Sequence, residues 1–431
     1  MLQKGLGRAL LHVKTYGLDG VDDLVLAACL KRQGYDFQAE SSREPWLFQM
    51  FVGSNDQPRF RAAILNHLDE ETDSDNLQQL CEFAKEMALL GDDEARAFLW
   101  IAVQRSAMSQ PHDDWAGADV WEELEGNEGI LQLARVYGRR LLLNHEDSIP
   151  IGVFSIEDQD LKELLEPFAQ TDPEIKAYWG YLEEKGQFNV FEPLDRTVAK
   201  QQWHERVRSD YSVETIIGNA RKKLGEFPGF YTTFGRHATP DELAKIYACF
   251  QQEVDEEIRL RLLWVFRRAP LPHLDDVMFH LAEGAHGKLR AAAIAALAQL
   301  SDPLIHKLAR EKVRKNQMLG DDDEVLDLFS NNYAPDDASL ISHSLTSLKP
   351  TSDDAHSLGW SVLDLAEKQL DASLSESLKW VYENTPCSNC RERAVKQLYK
   401  FNQLDPATLY ECQFDCSEDI QAVAKQLIVN S

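Results

Sequence analysis

A short helix-start pattern returns along this chain about every 30 to 36 residues, and this spacing limits the fold more than any other feature. Each copy begins with a polar residue, usually acidic, and leads into a stripe of apolar residues. The copies are Asp56–Arg61, Asp92–Arg96, Asp255–Arg259, His286–Arg290, Asp322–Leu326, Asp353–Ser357, Cys387–Arg391 and Ser417–Gln421. Repeats of this length are typical of helical hairpins that cannot bury their apolar faces alone and therefore stack on their neighbours. The pattern predicts an all-α fold, an α-solenoid of stacked helical hairpins.

The last copy shows why each one should form a helix. Ser417 is a suitable N-cap residue, since its hydroxyl can accept a hydrogen bond from an unpaired amide of the first turn. Ile420, Val423, Ala424 and Leu427 then follow at positions i, i+3, i+4 and i+7. These four side chains share one helix face, so the segment predicts an amphipathic helix with one side buried.

Two copies resemble the second helix of a HEAT repeat, including the short bacterial variety related to bilin-lyase repeats. That helix typically opens with an aspartate, continues with a valine–arginine pair and then becomes rich in alanine. The matching residues are Asp255, Ile258 and Arg259 in one copy and Leu289, Arg290 and Ala292 in the next. The likeness extends over residues 54–104 and 241–431. It implies a HEAT-like α-solenoid, and it says almost nothing about function.

Two interruptions of the pattern predict a division of the chain into three parts. Pro150 and Gly152 interrupt it first. A group of glycine and proline residues between 225 and 235 interrupts it again, before the helix start at Thr239. We therefore expect N-terminal helical repeats over 1–150, an irregular helical connector with an aromatic and glycine-rich loop over 151–240, and C-terminal HEAT-like repeats over 241–431.

The charge of the chain argues against two classes of partner. The sequence has 72 acidic and 45 basic residues, which gives a formal net charge of −27. Such a potential opposes contact with a nucleic-acid backbone or an anionic lipid surface, so we expect neither nucleic acid nor membrane as a partner. We expect neither a signal peptide nor a membrane span in this chain, which has seven cysteines. An odd number of scattered thiols favours a reducing cytoplasm.

One sector has the opposite charge to the rest. From Arg196 to Arg268 there are 13 basic and 10 acidic residues, about +3, so the remainder of the chain sums to about −30. Arginine and lysine side chains on one face could bind an acidic segment of a protein partner. The alternative is that they pair with this protein's own carboxylates across repeats. The residues predicted to contact a partner are Arg206, Arg208, Arg221, Lys222, Phe230, Tyr231, Phe234, Arg236, Arg259, Arg261, Arg267 and Arg268.

The aromatic members of this set belong to the predicted glycine-bearing loop. Phe230, Tyr231 and Phe234 stand close together there, with Arg236 beside them. Aromatic rings and arginine on a loop supply a large contact area with few rotatable bonds, which suits a binding surface. The alternative is that the rings fill a gap between repeats.

Four cysteines approach the spacing of a metal site. Cys387 and Cys390 form one pair, and Cys412 and Cys416 form a second pair after 21 intervening residues. If both pairs lay in turns of adjacent repeats about 10 Å apart, four thiolates could bind one Zn²⁺. We expect reduced cysteines and no cofactor, with zinc at these four residues or a redox pair as the alternatives.

No residue pattern predicts a reaction. The repeats, together with one sector of opposite charge, favour a non-enzymatic scaffold or adaptor that binds a protein partner. An acidic inhibitor or immunity-type protein that blocks a basic nucleic-acid-binding partner is an alternative. An accessory enzyme similar to the HEAT-like lyases and hydroxylases is another, and it follows from fold analogy alone.

Overall fold

The computed structural model of the chain is all-α, as the sequence predicts. It describes residues 1–35, 40, 42–108, 116–143, 149, 154–188, 211–224, 228–284 and 287–429, without the side chains of 321–323. These residues contain helices and no β-strand, and the helices pack in neighbouring pairs. Within the same ranges, no helix has both the length and the apolar character needed to cross a membrane.

Contacts between Cα atoms divide the chain into two compact units. The first unit comprises Met1–Glu192 and Tyr410–Gln421. The second unit comprises Pro193–Leu409 and Ala422–Ser431. Each unit is therefore assembled from two separate stretches of sequence. The three-part division at residues 150 and 240 stays a prediction.

The helices of the first unit form one apolar core. Phe51, Phe60 and Phe83 come from three successive helices, and the ring centroid of Phe51 lies 4.6 Å from that of Phe60 and 6.1 Å from that of Phe83. All three rings are fully buried, so they join the hairpins of this unit. The helices are α1 (Gly7–Tyr16), α2 (Asp22–Leu30), α3 (Glu44–Phe51), α4 (Gln57–Glu70), α5 (Ser74–Leu89), α6 (Asp93–Met108), α7 (Ala118–Glu125), α8 (Asn127–Leu143), α9 (Asp158–Ala169) and α10 (Pro173–Glu184).

Ion pairs follow the repeat spacing in this unit. Arg61 of α4 donates to Asp92 at 2.8 Å, 31 residues later. Arg139 of α8 donates to Glu174 of α10 at 2.8 Å, 35 residues later. The partners occupy similar places in successive hairpins, which explains why arginine and acidic residues recur with the period of the fold. Pairs as exposed as these stabilise a protein by at most about 1 kcal/mol each, so they favour a register more than they hold the fold.

Residues Tyr410–Gln421 pack in the first unit against the beginning of the chain. The indole Nε1 of Trp46 donates to the carbonyl oxygen of Phe414 at 2.8 Å, and the amide of Cys416 donates to the carbonyl oxygen of Gly5 at 2.9 Å. Arg8 and Glu411 form an ion pair at 2.8 Å. This stretch therefore belongs to the core of the first unit although about 370 to 410 residues separate the partners in sequence.

The second unit is also built from helical hairpins. Among the residues of this unit that the structure describes, three 3₁₀ helices interrupt the series, at Val265–Arg267, Gly320–Phe329 and Ala372–Leu374. The remaining α-helices are α11 (Val213–Arg221), α12 (Gly229–His237), α13 (Pro240–Gln252), α14 (Glu256–Trp264), α15 (Asp276–Glu283), α16 (Lys288–Leu297), α17 (Pro303–Arg314), α18 (Asp337–Ser347), α19 (Ser352–Gln369), α20 (Ser375–Asn384), α21 (Ser388–Lys400), α22 (Pro406–Cys412) and α23 (Glu418–Val429), the last two extending into the residues of the first unit.

Helix α13 begins after Thr239, the helix start that the sequence predicts, and a capping box closes its first turn. The amide of Glu242 donates to Thr239 Oγ1 at 3.3 Å, and the amide of Thr239 donates to a carboxylate oxygen of Glu242 at 2.7 Å. This reciprocal pair satisfies two amides that the helix itself leaves unpaired. Asp255 caps α14 in a similar way, since its carboxylate accepts from the amides of Glu257 and Ile258.

Two local predictions are wrong. The predicted aromatic loop contains helix α12, because Gly229 and Gly235 are helical residues here. At Gly235 a Cβ atom would lie 2.0 Å from the carbonyl oxygen of Val265, so this glycine permits a close helix contact instead of a loop. The copy at Asp322–Leu326 is part of a 3₁₀ helix, Gly320–Phe329, and not the start of an α-helix.

A buried carboxyl group predicts a pH effect on the first unit. Glu82 of α5 is 9 % exposed, and burial raises its pKa to about 7 although Lys85 lies 2.7 Å away. The folded state therefore favours protonated Glu82, and this contribution to stability is present below about pH 4.5 and is lost as the pH rises through about 7. We expect the free energy of unfolding to fall by up to about 3 kcal/mol between about pH 5 and 8 on account of this residue.

The variant Glu82→Gln should remove this part of the pH dependence. Urea denaturation at several pH values measures it. Glu123→Gln is the control, because Glu123 binds the same Lys85 at 2.6 Å but its side chain is 62 % exposed. If the free energy of unfolding of Glu82→Gln fell with pH as steeply as that of the unchanged protein, Glu82 would not be the cause of the pH dependence.

Candidate functional site

The basic sector lies in the second unit, and the structure separates its cations into two groups. Arg206 and Arg208 lie outside the described residues. Three other arginines are held by their own unit. The guanidinium of Arg259 lies over the ring of Phe250, 4.9 Å from its centroid, and Arg261 donates to the carbonyl oxygens of Lys223 and Glu257, each at 3.1 Å. Arg267 forms an ion pair with Glu324. The alternative interpretation, pairing with a carboxylate of another repeat, therefore holds for Arg267. Arg259 and Arg261 are held instead by a ring and by backbone carbonyl oxygens of their own unit.

The second group is exposed. Arg221, Lys222, Arg236 and Arg268 have exposed side chains. Within the described part of the chain, none of them lies within ion-pair distance of a carboxylate. Arg221 has one weak contact, with the sulfur of Cys249 at 3.9 Å. These four cations are the members of the predicted set that remain available to a partner.

The aromatic residues of the set are mostly internal. Tyr231 is fully buried, donates its hydroxyl hydrogen to the carbonyl oxygen of Leu224 at 2.8 Å and lies 5.7 Å from Trp264. Phe234 is 4 % exposed. Phe230 is half-buried, and its ring centroid lies 4.5 Å from that of Tyr211. Because the rings of Tyr231 and Phe234 have no accessible face, we remove these two residues from the predicted binding surface.

A groove of about 470 Å³ crosses the second unit where α16, the 3₁₀ helix Gly320–Phe329 and α19 pack in series. Two basic residues of the predicted set, Arg267 and Arg268, line one part of it. The side of α19 lines another part, with Trp360 among its residues. The indole of Trp360 is 49 % exposed, which is unusual for the largest side chain of a folded protein. The groove therefore brings together arginines that the sequence identified and a tryptophan that it did not.

Trp360 had a recognisable signal in the sequence. It stands two residues after Leu358 and two before Val362, both of which are fully buried. Residues two apart on a helix point in different directions, so the apolar stripe of α19 excludes Trp360 from the core. A large apolar residue outside the stripe of an amphipathic helix indicates a contact surface, and applying this test to every copy of the pattern would have found it.

Most charges around the groove are already matched within it. Arg393 of α21 lies over the ring of Trp360, 4.7 Å from its centroid, and donates to Asp364 at 2.7 Å. Lys368 donates to Asn331 Oδ1 at 2.7 Å. These contacts hold the indole and the carboxylates in fixed places. Arg268 differs from them, because its guanidinium is exposed at the groove and available to an incoming carboxylate.

Two of the four predicted cysteine ligands lie beside this groove, and they meet a histidine that the sequence analysis did not select. One ligand atom each from His356, Cys387 and Cys390 lie within 4.8 Å of one another. Cys387 and Cys390 are buried, and His356 lines the groove and is half-buried. The pKa of the Cys390 thiol is well above its ordinary value. The main cause is its hydrogen bond with Cys387, and burial is the second.

The other predicted ligands, Cys412 and Cys416, are buried among residues of the first unit. The group within 4.8 Å contains neither of them. All seven cysteines of the chain are free thiols in the structure. The four-cysteine zinc site stays a prediction, whereas the His356, Cys387 and Cys390 cluster is an observed arrangement.

Three comparisons with known proteins, against family models, curated proteins and solved structures, find no match to this chain.

Proposed function

We propose that this protein is a non-enzymatic interaction scaffold of the HEAT-like helical-repeat type, which binds a protein partner in the groove of its second unit. The observation that carries the proposal is the half-exposed indole of Trp360 in a groove that also presents the exposed guanidinium of Arg268. Tryptophan and arginine are the residues most enriched among those that dominate binding energy at protein interfaces. We place the protein in the cytoplasm, which agrees with its seven free thiols.

The partner segment would have to combine two chemical features. An apolar side chain would cover the open face of Trp360, because the indole supplies a large rigid surface for burial. A carboxylate would lie beside Arg268, since a guanidinium binds a carboxylate through two parallel hydrogen bonds. The groove is large enough for a few side chains and not for a folded domain. We therefore propose a short segment of a protein partner, with an acidic residue next to an apolar one.

Substitution of Trp360 and of Arg268, one at a time, tests the proposal. Partners are first recovered from the native cell with the unchanged protein and identified by mass spectrometry, and the affinity of each is then measured by calorimetry. Trp360→Ala and Arg268→Glu should each weaken the same partner by at least about 10-fold, the loss expected for a dominant interface residue.

Arg314→Glu provides the matched control. Arg314 is an exposed arginine of the same unit outside the groove, so its replacement makes the same change of charge without altering the groove. Partner binding that survives both groove variants would contradict the proposal. If the affinity for the partner were unchanged in both groove variants but fell strongly with added salt, the acidic inhibitor described in the sequence analysis would be favoured instead.

A further inference from the structure

A cluster of three metal-ligand side chains joins two hairpins of the second unit. His356 lies in the first turns of α19, and Cys387 and Cys390 lie at the start of α21, which packs against α19. Nδ1 of His356 and Sγ of Cys390 are 3.7 Å apart, and one ligand atom from each of the three residues lies within 4.8 Å of the others. Two helices that are separate in sequence thus bring three ligand atoms close together.

These separations agree with the geometry of zinc. Zn–S and Zn–N bonds of about 2.3 and 2.0 Å at tetrahedral angles place two sulfurs about 3.8 Å apart and a sulfur and a nitrogen about 3.6 Å apart. The observed contact of 3.7 Å between His356 and Cys390 is close to the second value. Two thiolates and one imidazole are also a ligand set that Zn²⁺ prefers over Mg²⁺ or Ca²⁺, which bind oxygen atoms.

The surroundings suit a bound cation with two thiolate ligands. Cys387 is 4 % exposed and Cys390 is fully buried, so neither thiol is open to a protein-sized substrate, as a thiol in redox exchange would have to be. His356 borders the groove and supplies a route for a metal ion.

We propose that His356, Cys387 and Cys390 bind one Zn²⁺ ion, with the fourth position of the tetrahedron open to a water molecule. The ion would link α19 to the start of α21 in the wall of the groove. This ligand set differs from the four cysteines predicted from the sequence, because it takes a histidine from the preceding hairpin and uses neither Cys412 nor Cys416. The proposal does not depend on the binding of a protein partner in the groove.

Metal titration of the full chain tests the site. The protein is reduced, freed of metal with a chelator and titrated with Co²⁺ and then with Zn²⁺. We expect about one Co²⁺ per chain with a thiolate-to-cobalt charge-transfer band and the visible bands of tetrahedral cobalt, and displacement by one Zn²⁺. Binding of fewer than roughly 0.2 ions per chain by the folded, reduced protein would overturn the proposal.

Amino-acid substitutions distinguish this ligand set from the four-cysteine site and from a Cys387–Cys390 disulfide. Cys387→Ser and Cys390→Ser should abolish the charge-transfer band, and His356→Gln should weaken Zn²⁺ binding by at least 10-fold. His356 is half-buried, so this variant keeps the test valid if a cysteine variant does not fold. Cys412→Ser and Cys416→Ser should bind one ion unchanged. Loss of binding in these two controls, unchanged binding in His356→Gln, or isolation of the protein with a Cys387–Cys390 disulfide would each refute the proposed ligand set.

Discussion

Replacing Gly138 by alanine is expected to lower the free energy of unfolding by about 3 kcal/mol, one of the two largest effects of a single substitution that we predict. Gly138 lies in α8 at its contact with α10, where a Cβ atom would be 1.7 Å from the carbonyl oxygen of Glu174 and 2.4 Å from its carbonyl carbon. Both are backbone atoms, so no side chain can rotate away to make room. The two helices would have to separate, and the core between them would lose contacts.

Gly180→Ala is the matched control for this substitution. Gly180 is also in the interior of a helix of the first unit, α10, but a Cβ atom there has no neighbour within 4 Å. Alanine should stabilise that position by roughly 0.5–1 kcal/mol through its higher helix propensity. Urea denaturation followed by circular dichroism measures both variants. Equal effects of the two substitutions would mean that α8 and α10 do not approach as closely as the structure shows.

Replacing Asp337 by alanine should destabilise the second unit by about 3–5 kcal/mol. Asp337 is fully buried at the start of α18 and accepts from three groups. Its carboxylate binds Nε2 of His306 at 2.8 Å, the guanidinium of Arg310 and the amide of Ala334 at 2.8 Å. Loss of the carboxylate removes the acceptor that these three donors share at a fully buried position, and this penalty exceeds the value of the lost bonds themselves.

The adjacent residue supplies the control. Asp336 also pairs with Arg310, at 2.9 Å, but its side chain is 72 % exposed. Solvent screens such a pair, so Asp336→Ala should cost less than about 1 kcal/mol. Thermal and urea denaturation of the two variants measure the difference. A loss in Asp337→Ala no larger than that in Asp336→Ala would contradict the buried network described above.

The all-α class could be predicted because its signals are local. At Thr239 and Glu242 the capping residues stand three positions apart, and the hydrogen bonds they form are those that the spacing predicts. Apolar stripes such as that of α19 follow the helical period for the same reason. Each signal occupies less than a dozen residues, so it does not depend on what the rest of the chain packs against.

The loop predicted around Gly235 is wrong because packing sets the role of this glycine. Gly235 resembles a loop residue in sequence, but it lies in α12 because only a residue without a Cβ fits against the carbonyl oxygen of Val265. The partner is 30 residues away, so no local pattern reveals it. The hydrogen bond from Trp46 to the carbonyl oxygen of Phe414 joins residues 368 apart in sequence, so the repeat pattern could not predict it either.

Part of the candidate site could have been predicted from the sequence. His356 and Cys390 are 34 residues apart, which equals one repeat. They directly precede Ser357 and Arg391, which occupy equivalent places in two copies of the helix-start pattern. Equivalent positions of stacked hairpins lie about 10 Å apart at their backbones, within reach of a cysteine and a histidine that point toward each other. Aligning the copies on one another would therefore have placed His356, rather than Cys412, beside Cys390.

Photo-crosslinking in the native cell tests most directly whether the groove binds a protein. Trp360 is replaced by p-benzoylphenylalanine, another large aromatic residue, and the cells are illuminated. Leu304 is the control position, because it is 58 % exposed in the same unit but lies outside the groove. We expect a discrete crosslinked protein from position 360, which Arg268→Glu suppresses and which position 304 does not yield. Absence of any crosslink from 360, or the same products from both positions, would show that the groove is not the binding site.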